Sequence, residues 1–454
     1  MGKVALVFPY VRTRSANEML FPPLGIATLA AHLRARGIET RVFDCTFSDF
    51  ATLRAELKSY RPDIVGISSM VSLSRNTFAV AAMVREVAPD ALLVAGGALP
   101  TVFPRRFAKH FDVVFRGEAD LSFPRFCADV FARRVSPRTM ARLPLVAYDG
   151  LFVPNHGLCI DNPTTHHNEA ALESFPRPDR SDFDHAAYQD AWLRTGSDRI
   201  TSLMVTLGCP FACDFCSKPV FGNVVRRRSL DWVFAEIDEI AALGYDGLWI
   251  ADDTFTLDLS YLEEFCRRMA GRGLTWSCLS RARGIRRATV RLMKEAGCRR
   301  VYLGLESGSQ ATLALMNKQV TVGDGIRAVS LYREAGIEVA GFFIVGYPGE
   351  TVASVEQTFA LALTLPLDEI SFNVPFPLPG SMLFRRLGGP DDGLDWNEEN
   401  ETTFVYPSQF DADWLRGRIA ETMAAFAENR RARRRERTVD LEPTLTAAAA
   451  GARR

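Results

Sequence analysis

The chain has no excess of either charge. Lys plus Arg total 54 and Asp plus Glu total 54 in 454 residues, so the formal net charge is zero. That balance argues against a general nucleic-acid or acidic-membrane surface. No apolar run approaches the 18 or so residues needed to cross a bilayer. The opening MGKVALVFPY reads as a strand rather than a leader, and Leu6 stands where N-myristoylation wants Ser or Thr. The nine cysteines are an odd number in a chain without a signal peptide, which argues against a disulfide framework. A hydrophobic share of 47% with 24% charged residues excludes a mainly disordered chain. The expectation is a cytoplasmic protein of two or three domains, at roughly 150 residues per domain.

Residues 1–132 alternate short apolar runs with amphipathic stretches. Val4-Phe8, Thr40-Phe43, Ile64-Ser68, Leu92-Ala95 and Val113-Phe115 have the β-branched and large apolar content of buried parallel strands. Helical segments lie between them, such as Leu24-Arg36 closed by Gly37 and Thr77-Val87 followed by Pro89. Five such alternations predict a doubly wound, Rossmann-like α/β sheet. Such sheets bind ligands at the strands' C-terminal ends, where Gly96 and Gly97 either admit a ligand close to the backbone or make a tight turn. Residues 133–199, dense in Pro, Asp and Asn, read as a surface connector. His166 and His167 within it have no Cys or carboxylate in register to complete a metal site.

A second series spans 200–387: Leu203-Thr206, Leu248-Ala251, Trp276-Leu279, Val301-Leu305, Val339-Val345 and Ile370-Val374. Their starts lie 25 to 45 residues apart, room for a crossover helix but far more than a hairpin needs. Six such units suit a partial (β/α)6 barrel, with catalytic residues expected just after the strands. Residues 388–454 begin with acidic GGPDDGLDWNEENE, continue as a helix around Ala412-Asn429, and end in RRARRRER and LTAAAAGARR. The arginine run reads as a solvated helix end or tail.

Six cysteines (45, 127, 159, 266, 278 and 298) stand singly and read as small buried apolar residues. The other three form Cys209-Pro-Phe-Ala-Cys213-Asp-Phe-Cys216. A zinc site needs a fourth ligand in register, and none is there. Three thiolates from one loop suit a [4Fe-4S] cube with one iron left open to chelate a small molecule. Phe215 is placed to shield that cluster or stack on its ligand.

This CxxxCxxC spacing, with an aromatic before the last Cys and the first barrel strand ahead of it, resembles the radical S-adenosylmethionine (SAM) superfamily. The resemblance implies that Cys209, Cys213 and Cys216 ligate the cluster and that its open iron binds SAM. Reductive cleavage then yields methionine and a 5′-deoxyadenosyl radical. It implies an acidic patch at Asp252 and Asp253, and a partner for the SAM carboxylate at Arg281. Gly304, Glu306 and Ser307 would face the ribose or amino group, and Gly346, Pro348 and Glu350 would lie near the adenine. PPLGIATLAAHLRARG, DIVGIS, AGGALPT and FRGEAD resemble the cobalamin-binding domain of B12-type radical SAM enzymes. The Asp-x-His-x-x-Gly motif for axial histidine ligation is absent: none of the six histidines has Asp two residues before it.

Two reactions follow from the resemblance. One is cobalamin-dependent methylation of an unactivated carbon. The other, ranked first on sequence, is radical 1,2-diol dehydration in antibiotic biosynthesis, similar to the dehydratases of aminoglycoside C3′-deoxygenation. Dehydration needs a general acid, for which Asp252, Asp253 and Glu350 are the candidates, and the acidic strand ends would attract a cationic amino-sugar. The expected partners are that small molecule, an electron donor such as flavodoxin or ferredoxin, and a partner reductase; neither nucleic acid nor membrane is expected. An iron-sulfur electron carrier or sensor is the non-catalytic alternative.

Overall fold

The computed structural model describes residues 2–11, 19–154, 159–218, 220–388 and 408–451, with side chains to 432. The first five apolar runs form β1 (Lys3–Phe8), β2 (Glu39–Asp44), β3 (Ile64–Ser68), β4 (Leu92–Gly96) and β5 (Val113–Phe115). They lie in the order β2-β1-β3-β4-β5, all parallel. The chain therefore reverses direction across the sheet beside β1, the place where such sheets open a crevice at the strands' C-terminal ends.

The segment 133–199 is not the surface connector that its composition predicts. It adds β6 (Leu151–Pro154) antiparallel to β5 and β7 (Cys159–Asp161) antiparallel to β6, covering that edge of the sheet. Phe152 joins the apolar layer on one face, while Leu151, Val153, Tyr148 and Tyr188 join the layer on the other. The surrounding Pro, Asp and Asn hide this short alternation in the sequence. Cys159 on β7 is exposed rather than buried.

The second sheet starts with β8 (Ile200–Leu203). A two-stranded ribbon follows, β9 (Thr206–Leu207) paired antiparallel with β10 (Arg226–Arg227). Then come β11 (Gly247–Ile250), β12 (Thr275–Ser280), β13 (Cys298–Glu306), β14 (Glu338–Ile344) and β15 (Glu369–Asn373). The six sheet strands are parallel and lie in sequence order, the topology of a partial barrel. Crossover helices Leu230–Ala242, Leu259–Met269, Val322–Glu334 and Val352–Thr364 open on side-chain caps from Ser229, Asp258, Thr321 and Thr351. Their apolar stripes meet the outward residues of the sheet in one core, with Leu203, Trp276, Val301 and Phe343 fully buried.

Beyond the barrel, Phe410 and Leu415 pack on Val355 and Phe359. The helix Ala412–Gly451 starts where the sequence places it and runs on through the arginine run. The acidic segment from 389 to 401 lies outside the described residues. Among those described, no helix is long and apolar enough to cross a membrane.

Candidate functional site

The three clustered cysteines hang from the ribbon, not directly from β8 as the sequence predicts. The Asp252 carboxylate, at the end of β11, accepts from Val205 N (2.7 Å), Thr206 N (2.8 Å) and Thr206 Oγ1 (2.7 Å). It thus takes the N–H groups that a straight strand would give to its neighbour, and the chain leaves the sheet. Gly208 then turns with φ +82; a Cβ there would lie 2.4 Å from Val224 O and 2.9 Å from Phe221 O. Only glycine fits both the angle and the space.

Groups other than the thiols fix the loop. Lys218 Nζ donates to Cys209 O (2.6 Å) and to Phe211 O. Asn317 Nδ2 donates to Ala212 O (2.7 Å). The Asp214 carboxylate accepts from Tyr347 OH (2.6 Å) and pairs with Arg386 (2.9 Å). Phe215 packs against Met316, Ile344, Tyr347 and Leu383, beneath the loop rather than out in a cleft. The thiols of Cys209, Cys213 and Cys216 are free and partly exposed. Burial, then the neighbouring Cys213, pushes the Cys216 thiol up to about 11, so a ligating iron must displace its proton. No three His, Cys, Asp or Glu side chains among the described residues converge on a single ion. A cube needs no such convergence, since each thiolate meets its own iron. The donor set fits a [4Fe-4S] cluster.

Around this loop the strand ends bring some expected residues together and turn others away. Arg281, after β12, approaches Cys213 Sγ (4.0 Å), stacks over Phe211 (3.6 Å to the ring centre) and donates to Lys318 O. Its Nε is buried without a partner, as a group awaiting an anion would be. Glu306 is held at φ +60 and pairs with Lys318 at 2.6 Å. Gly304 leaves room for that pair, since a Cβ there would sit 2.4 Å from Glu306 Oε1. Asn317 and Gln319, on either side of Lys318, are also left-handed. Such strained backbone persists where the surroundings over-determine it. Gly346 turns with φ +81 at the end of β14, and Pro348 is half-buried in the same loop.

Three expected site residues have structural duties instead. Asp252 is fully buried in its clip, and burial pushes its carboxyl up to about 7. Glu350 is 2% exposed and turned back on its own loop, accepting from Tyr347 N (2.8 Å); burial likewise pushes it up to about 7. The Ser307 hydroxyl is buried between Thr358 Oγ1 (3.0 Å) and Ser309 N (3.1 Å), so it does not reach a ribose. Asp253 alone of the three proposed acids is exposed. Its carboxyl is raised by partial desolvation, with Lys218 pulling the other way.

At the C-terminal edge of the first sheet, Gly97 has φ +104, and a Cβ would lie 2.6 Å from Ser69 O. Its freedom is used against the protein's own backbone, the tight-turn reading. Gly96 differs: the nearest atom to a Cβ there is Phe115 O at 3.9 Å. The Ser74 hydroxyl, at the start of the helix Ser74–Val87 that follows β3, is fully buried without a partner. An open glycine and an orphaned hydroxyl suit an edge that receives a ligand. Of the described histidines, His166 and His167 reach these strand ends, both meeting Glu118 just after β5.

The sequence did not disclose the buried charge cluster that joins the two halves. Glu118, after β5, accepts from Arg226 of the ribbon at 2.6 and 2.8 Å, from His166 Nδ1 at 2.8 Å and from His167 N at 3.1 Å. The carboxylate and guanidinium are 1% and 5% exposed. His166 lies against Gly222, whose carbonyl accepts from Cys209 N at 3.3 Å. The FRGEAD and RRR stretches are the signal in hindsight, but 108 residues separate the partners.

Residues 203–362 match the description of the Radical SAM superfamily, and residues 16–126 match that of the B12 binding domain. The chain is 30% identical to an uncharacterized methyltransferase of Pyrococcus horikoshii over 400 residues, 84% of this chain and 82% of that protein. It is 27% identical to the anaerobic magnesium-protoporphyrin IX monomethyl ester cyclase of Rubrivivax gelatinosus over 424 residues, 90% and 74% of the two chains. Its fold is similar to the radical S-adenosylmethionine methyltransferase TsrM of Kitasatospora setae, solved with cobalamin and a [4Fe-4S] cluster. The TM-score is 0.71 at 19% identity, covering 85% of this chain and 75% of that one.

Proposed function

The chain belongs to the radical SAM superfamily, with a B12-binding domain ahead of its radical SAM domain, and from that premise we propose that it is a cobalamin-dependent C-methyltransferase. Its cofactors include a [4Fe-4S] cluster and SAM, and it needs a small-molecule substrate and a source of electrons. The observation that carries the proposal is the pairing of a B12-binding domain with the cysteine loop in a chain 30% identical to a methyltransferase along most of its length. When bound, cluster and SAM supply hydrogen abstraction, and the corrin supplies the methyl group.

The residues take their roles from geometry. Cys209, Cys213 and Cys216 would hold the cluster. Arg281, with its unpartnered Nε beside Cys213, would orient the SAM carboxylate. Glu306, paired with Lys318, would take the ribose or amino group, and the Gly346–Pro348 backbone would flank the adenine. Gly96 and the Ser74 hydroxyl would face the corrin. Dehydration loses its first place because Asp252 is committed to the backbone N–H groups of Val205 and Thr206, and Glu350 is buried with one carboxylate oxygen on Tyr347 N. The attraction for an amino-sugar weakens for the same reason, since Asp253 is what remains of the acidic patch. An electron donor such as flavodoxin or ferredoxin fits the need for single electrons.

The protein purified with added hydroxocobalamin and passed through a sizing column is expected to keep about one corrin per chain by absorbance. A corrin that washes away completely while iron stays bound contradicts methyl transfer.

A further inference from the structure

Alternate residues of the second sheet point away from its helices, into the concave face of the barrel. On β11 to β14 the helix-facing residues, Leu248, Cys278, Val301 and Phe343 among them, are completely or almost completely buried. Trp249, Ser277, Leu279 and Phe342, on the opposite face of the same strands, keep partial solvent access. These strands have neighbours on both sides, so their mid-strand residues reach solvent only if the face they line is hollow.

The floor of that hollow is aromatic. Trp249 meets Tyr302 edge to face at 4.8 Å and 84°, and Tyr302 meets Phe342 at 5.6 Å. Phe21 reaches Trp249 from the first domain at 6.3 Å, on a segment pinned by the Trp192 Nε1 bond to Leu20 O at 2.7 Å. Beside the rings the lining varies in size, and Leu279 pairs in register with Tyr302. Ser277 pairs in register beside Trp249, and Gly304 beside Phe342.

Two of the charges lining the hollow are already paired. Arg300 at its base is tied to Glu338 (2.6 Å) and Glu369 (2.8 Å), and Glu306 at its rim to Lys318. Of the strand-end carboxylates described above, Asp253 alone has no hydrogen-bonded partner. A cationic, polyhydroxylated guest would lose water along these walls and find few groups to replace it. A flat π-system would meet ring edges and faces.

We propose that the barrel hollow takes an uncharged, flat, unsaturated ring, seated on Trp249, Tyr302 and Phe342, as the part of the substrate presented to the cysteine loop. This rests on the radical SAM reading only for the expectation that a substrate enters the barrel.

The test uses the full chain labelled with 5-fluorotryptophan, with the Trp249 resonance assigned by its loss in Trp249→Phe. Titration with 2-naphthol is expected to shift that resonance saturably, while neamine leaves it in place. Phe342→Ala and Ser277→Phe are expected to weaken 2-naphthol at least about tenfold, an equilibrium shift of about 1.4 kcal/mol. Ser277→Phe fills the hollow from a partly exposed position, so the test survives if Phe342→Ala does not fold. A Trp249 resonance indifferent to 2-naphthol overturns the proposal, as does unchanged affinity in Ser277→Phe or saturable neamine binding at Trp249. The titration needs neither corrin nor turnover. A protein that loses its corrin yet binds 2-naphthol keeps this inference and loses methyl transfer; the reverse outcome does the opposite.

Discussion

Cys213→Ala is expected to lose the iron-sulfur cluster and SAM cleavage together, iron falling from about four per chain to a small remainder. With two thiolates left, a second corner of the cube loses its protein ligand. No other cysteine can substitute. Cys266, Cys278 and Cys298 are buried in the barrel core, where burial raises their thiols far from the thiolate range. The loop itself should keep its shape, because Gly208, Lys218, Asp214 and Phe215 hold it without using a thiol. Far-UV dichroism and thermal unfolding of the apoprotein should therefore match wild type. Cys159→Ala, at an exposed position on β7, is the matched control and should keep full iron. Normal iron in Cys213→Ala would remove the cysteine loop from the mechanism.

The second large effect is expected at Glu118. Glu118→Ala leaves Arg226 charged and buried without its carboxylate, and breaking such a pair from one side costs about 3–5 kcal/mol. The damage should not be confined to stability. His166 loses its Nδ1 partner, and its contact with Gly222 leads to the carbonyl that holds Cys209 N. Reconstituted iron is expected to fall as well, though Glu118 touches no cysteine. Glu118→Gln keeps an acceptor for Arg226 and should recover most of the iron while unfolding at a lower temperature than wild type. Denaturant unfolding with parallel iron assays separates these effects. Full iron and unchanged stability in Glu118→Ala would show that the domains are joined elsewhere.

Much of the architecture was legible because the sequence repeats one physical signal. Apolar strands alternate with amphipathic helices, several of them in the second half opening on Ser, Asp or Thr, and each half keeps its own rhythm. The cysteine spacing was legible because ligation of a cube by one loop constrains residues close together in the chain. Contacts between distant residues were not. A carboxylate just after a strand reads the same whether it stays exposed, as Asp253 does, or turns back onto the backbone, as Asp252 and Glu350 do. Ser307 posed the same ambiguity. Lys318 gave no signal, since its role arises only when the loop between two helices folds beneath β13 to meet Glu306. The β6–β7 hairpin stayed hidden because its strands are short and set among turn-forming residues.

The reaction class rests on what becomes of SAM. Anaerobic holoprotein with cluster, hydroxocobalamin and a strong reductant, supplied with SAM, is predicted to form S-adenosylhomocysteine only when the corrin is present. It is also predicted to form 5′-deoxyadenosine whether or not the corrin is present. If 5′-deoxyadenosine appears with no corrin-dependent S-adenosylhomocysteine, methyl transfer is contradicted; if neither product forms, the radical chemistry itself is.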